Sequence, residues 1–100
     1  MARPDVNTVR CEALFASALQ RSDEPTPADV RLAILRTVRR LGNSGCVAVV
    51  AQEFGDHPES AAERMRWVRR LVEVTVAENQ VAAAIHTLRY RHRSVVTTAA

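Results

Sequence analysis

Gly55-Asp56-His57-Pro58-Glu59 stands between two helical patterns, and its reading decides how the chain turns. A glycine stops the preceding helix, a proline pre-sets the first turn of the next, and Glu59 sits near the positive pole of that second helix. Upstream, Cys46 to Phe54 places Val47, Val50, Ala51 and Phe54 on one helical face. The apolar run from Cys46 to Ala51 also has the composition of a buried strand, but its Gln52-Glu53-Phe54-Gly55 ending and the lack of a partner strand favour helix. Downstream of Pro58, Ala61, Met65, Val68 and Val72 repeat at helical spacing. Val72-Glu73-Val74-Thr75-Val76 is β-branched and alternating, which leaves a strand or wing open as the alternative. Glu78-Asn79-Gln80 is a candidate division, and Val81, Ile85 and Leu88 continue a stripe beyond it.

The N-terminal half reads as two further helices. Asp5 caps the first, which runs to about Arg21 with Cys11, Leu14, Phe15, Ala18 and Leu19 on its apolar face. Ser22-Asp23-Glu24-Pro25 breaks it. Thr26-Pro27-Ala28-Asp29 starts the second with a capping threonine, a proline in the first turn and an acid three residues on. Val30, Ile34, Val38 and Leu41 form its buried stripe, Gly42 closes it, and Asn43-Ser44-Gly45 turns into the helix that leads to the corner. The expected fold is therefore all-α, an orthogonal bundle of four or five helices with its corner at 55–58. Residues 1–93 are expected to form one domain and 94–100 a flexible tail.

Composition agrees with a small folded domain. The chain has 100 residues, 47% hydrophobic and 25% charged, which places it among globular rather than disordered sequences. Aromatics make up only 4%, so the core must come from Val, Leu, Ile and Ala and is expected to be shallow. No apolar run approaches the roughly 20 residues of a membrane span, and the N-terminus lacks a signal-peptide pattern, so a cytoplasmic location is expected. In that compartment Cys11 and Cys46 read as buried free thiols. All fourteen basic residues are arginine, which together with the abundance of Ala and Val suggests the coding bias of a GC-rich bacterial genome. Residues 1–59 hold seven arginines against eight acids, whereas 60–100 hold seven against three, so the C-terminal part is the basic part.

The residues that catalysis or metal binding would need are scattered. Cys11, Cys46, His57, His86 and His92 stand in none of the spacings that hold zinc. The three glycines form no phosphate-cradling loop. Cys46, beside Gly45 at a helix start, has an activated thiol as one reading and an inert buried one as the other. The expectation is a protein that is not an enzyme, with no cofactor, no metal and no small-molecule substrate.

Residues 50–67, from Val50 to Trp67, resemble the bacterial helix-turn-helix superfamily, particularly the sigma-factor and response-regulator type. That family carries an alanine in the first helix and a glycine four residues later, the places of Ala51 and Gly55. The resemblance implies that the helices cross closely at Ala51 and that Gly55 turns the chain in the left-handed conformation. It also implies that Ala61 and Met65 pack the second helix onto Phe54 and Val50. Asp56 stands where the family has Val or Ile. By the same resemblance the partner is duplex DNA, with His57, Glu59, Ser60 and Glu63 nearest the bases and Arg66, Arg69 and Arg70 along the phosphates.

A second reading uses a different surface. Trp67, Leu71 and Val74 form an apolar stripe beside the first, fit for a protein partner or a second copy of the chain. The segment Leu88-Arg89-Tyr90-Arg91-His92-Arg93 reads either as a nucleic-acid arm or as a helix end with cations at its negative pole.

Overall fold

The computed structural model describes residues 5–99, with side chains as far as Arg89. Among the described residues the regular elements are all helical. They are α1 (Val6–Ala16), a single 3-10 turn (Arg21–Asp23), α2 (Pro27–Asp56) and α3 (Pro58–Ala99). The class is all-α, but the expected four or five helices are three, one of them kinked. Residues 72–76, the possible strand, are helical, and α3 passes through Glu78-Asn79-Gln80 without a break. The expectations for Tyr90, Arg91, His92 and Arg93 concern side chains outside the described residues, whereas 94–99, where a tail is expected, continue α3.

α1 begins as its sequence indicates, with the Asp5 carboxylate accepting from the Asn7 N–H at 3.3 Å. It stops at Ala16, well short of the expected Arg21. Ser17 leaves the helix with ψ 171°, and its hydroxyl donates to the Leu14 carbonyl at 2.6 Å. Arg64 of α3 donates to the carbonyls of Phe15 at 2.9 Å and Ser17 at 3.1 Å. Partners outside the helix thus satisfy carbonyls that its end leaves open.

At the start of α2 the Thr26 hydroxyl accepts from the Asp29 N–H at 3.2 Å. The Asp29 carboxylate in return accepts from the Thr26 N–H at 3.0 Å, completing the reciprocal cap. Gly42 interrupts α2 with φ 69° and ψ 171°, a backbone region open essentially to glycine alone. The expected end of one helix at Gly42 is therefore a kink, and the chain is helical again at once, without a separate turn at 43–45. Gly45 is needed for space: a β-carbon there would lie 2.9 Å from that of Leu41.

The core is a cluster of Leu14, Phe15, Val30, Ala61, Met65, Val68 and Val72, drawn from all three helices. Two buried hydroxyls are satisfied inside their own helices, Thr37 donating to Ala33 at 2.7 Å and Thr75 to Leu71 at 2.8 Å. The second arm of α2 is turned differently from expectation. Cys46 is buried and Val50 packs on the core, whereas Val47 is 49% exposed, Ala51 is exposed, and Phe54 is 38% exposed with its ring against Phe15. An arm apolar on nearly every side gives periodicity little to choose by.

At ~1.5 Å per residue, the 42 residues of α3 account for the 66 Å length of the molecule. Only its first part packs. From Ala77 to Arg89 every residue is exposed.

Candidate functional site

α2 gives way to α3 across a single residue. His57, at φ −139° and ψ 66°, donates its N–H to the Glu53 carbonyl at 2.7 Å. Its own carbonyl accepts the N–H of Ala61 at 2.9 Å and the Ser60 hydroxyl at 3.3 Å, so one residue closes one helix and opens the next. Pro58 takes the first position of α3. Two features implied by the helix-turn-helix resemblance are corrected here. Gly55 lies inside α2 without a positive φ, and a β-carbon on it would meet nothing within 4 Å. Ala51 is exposed, so the helices do not meet closely at that side chain. The turn comes from the non-helical backbone of His57 instead.

Packing behind the corner centres on Arg64. Its guanidinium is 5.5 Å from the ring centres of both Phe15 and Trp67, while its N–H groups hold the end of α1. Phe15 stacks on Phe54 with ring centres 6.0 Å apart. Partial burial makes the Arg64 proton somewhat easier to lose, an effect that leaves an arginine charged at neutral pH. In the sequence Arg64 is simply one of the seven arginines of the basic C-terminal part. Its position three residues before Trp67 on a helix is the only hint of the stack.

The residues assigned to DNA by resemblance, His57, Glu59, Ser60, Glu63, Arg66, Arg69 and Arg70, are all exposed. Helical spacing sets Glu59, Glu63, Arg66 and Arg70 within an arc of about 60°. Two acids therefore share one face with two bases, and the arginines do not form a separate cationic surface. Arg69 stands to the side, where it lines a hollow with Cys11 and Glu73.

The second surface is the outer side of α3. Trp67 and Leu71, expected as interface anchors, are half-buried and pack against the core cluster. Val74 is 53% exposed, and Val81, Ile85 and Leu88 prolong its line at 59%, 45% and 65%. From Val72, which faces the core, Val81 is nine residues on and so about 180° around the helix. This stripe points away from the rest of the chain.

The chemistry-bearing residues stay apart. Cys11 and Cys46 are free thiols, and burial pushes both above the usual thiol range, at Cys11 against the opposing pull of Arg69. Among the described residues no three His, Cys, Asp or Glu side chains gather closely enough to hold a metal ion. No helix among them is long and apolar enough to cross a membrane. A hollow of about 350 Å³ lies among α1, α2 and α3 and is rimmed by Arg10, Arg31, Asn79 and Gln80.

No protein-family model matches the chain, and neither does any curated protein or solved structure.

Proposed function

We propose that this chain is a non-catalytic helical interaction module that engages a protein partner through the outer stripe of α3. One observation carries the reading. Val74, Val81, Ile85 and Leu88 are exposed along a single line, opposite the side of α3 that packs on the core. Removing apolar surface from water stabilises a complex by roughly 25 cal/mol per Å². An isolated helical arm is also marginal in water, so the same contact would support its helicity. The exposed area supports this too. The chain exposes 7571 Å², whereas a compact monomer of its mass is expected to expose ~5,700 Å².

Duplex DNA has less support as the partner. Phosphate binding favours an uninterrupted cationic face, and Glu59 and Glu63 occupy the face of Arg66 and Arg70. The two readings part in one pair of measurements. A photo-crosslinking side chain at Leu88 is expected to give protein adducts in the cells that make the chain, and the same group at Glu63 is not. Absence of adducts at both Leu88 and Val81, together with salt-sensitive binding to duplex DNA, would reverse the choice.

A further inference from the structure

We infer that the occupant of the outer α3 stripe is a second copy of this chain, its α3 lying antiparallel to the first about a two-fold axis near Ala83. This rests on the interaction reading of that face and names its partner. The charges that flank the Val81–Leu88 part of the stripe are opposite: Glu78 precedes Val81, and Arg89 follows Leu88. These two residues are eleven apart and so differ by only about 20° around the helix, which puts them on the same flank of the stripe. A two-fold axis perpendicular to both helices brings each flank against the same flank of the other copy. Antiparallel pairing near Ala83 therefore sets Val81 against the partner's Ile85 and Glu78 beside the partner's Arg89. Each contact occurs twice. Parallel pairing would instead carry this flank to opposite sides of the seam with like residues at like height, so Glu78 would gain no Arg89 partner.

Shape agrees with charge. Ala77 and Ala84 lie on the opposite flank, where side chains this short allow close approach of two helix axes. The stripe from Val74 to Leu88 is only ~21 Å long, so the dimer is reversible and concentration-dependent.

Sedimentation equilibrium of the full chain over a wide concentration range tests this directly. The expected result is a monomer that reaches twice its mass as concentration rises. Ile85→Asp should abolish the dimer while leaving Trp67 fluorescence and the cooperative unfolding of the packed body unchanged, because Ile85 is outside the core. Glu78→Arg and Arg89→Glu should each weaken self-association about tenfold or more. Mixing those two variants should restore it, since each then presents to the other the charge it lacks for itself. A dimer indifferent to both reversals would overturn the antiparallel arrangement. A chain that stays monomeric throughout overturns self-pairing. In that case, adducts of Leu88 with a different protein would leave the wider reading of the face standing, and their absence would remove it as well.

Discussion

Arg64 shows how one side chain joins elements distant in sequence. Its donors end α1, and its guanidinium lies 5.5 Å from the ring centres of Phe15 and Trp67, so its removal strips partners from carbonyls at the end of α1 as well as two aromatic contacts. Arg64→Ala is expected to lower unfolding free energy by about 2 kcal/mol, read by urea denaturation, from the loss of hydrogen bonds made by a charged donor. Arg64→Lys should recover only part, because an ammonium offers no planar fork and stacks poorly. Two glycines make a sharper contrast. Gly42 occupies a backbone region that a β-carbon excludes, so Gly42→Ala should cost about 1–3 kcal/mol. Gly55 is helical with open space around it, so Gly55→Ala should stabilise by about 0.5–1 kcal/mol. If thermal melts show Gly55→Ala to be destabilising, a left-handed corner of the helix-turn-helix kind is back in play.

At the scale of the element, helix ends are decided by what takes up their free backbone groups. α2 begins where Thr26 and Asp29 cap each other, and Thr26→Ala is expected to cost about 1 kcal/mol. Hydrogen bonds from Thr26, the backbone N–H first, hold the Asp29 carboxyl below the usual carboxylate range. A carboxyl lowered on folding favours the folded state above its unfolded-state pKa. That contribution is lost as the pH falls through the folded value. The melting temperature of Asp29→Asn should therefore lie below that of the parent chain at neutral pH, with the gap narrowing in strong acid. A gap that does not change with pH would mean that the charge of Asp29 is not what matters. α1 ends by a different device, since the Ser17 hydroxyl and Arg64 together outcompete one more turn.

On the scale of the whole molecule, a small packed body carries a long projecting helix. The radius of gyration is 17.8 Å, against ~13 Å for a compact chain of this length. Small-angle scattering at high dilution should return the larger value. The same division should appear in mutational cost. Leu14→Ala, in the fully buried core, is expected to lose about 3 kcal/mol. Ile85→Ser and Leu88→Ser should change the unfolding free energy of the dilute chain by no more than about 0.5 kcal/mol. A large loss from either serine variant under dilute conditions would show that the arm packs against its own body.

The sequence by itself determined the helical class, the starts of all three helices and the position of the kink, because caps, prolines and glycines act through neighbours a few residues away. Asp5, Thr26-Pro27, Gly42 and Pro58 are local signals, and each marks its expected place in the chain. The apolar line of Val81, Ile85 and Leu88 was legible in the same way, as spacing along one helix. Tertiary structure decided what spacing cannot carry. It ended α1 early by bringing Arg64 to its carbonyls, and it turned Cys46 rather than Val47 inward on an arm apolar nearly all round. It buried much of Trp67 and Leu71 while leaving Val74 outside. It also left Ala77 to Arg89 of α3 without cover from its own chain. These outcomes depend on which surfaces meet across long sequence separations, and apolar contact is non-directional, so a pattern along one helix does not name the surface that will cover it.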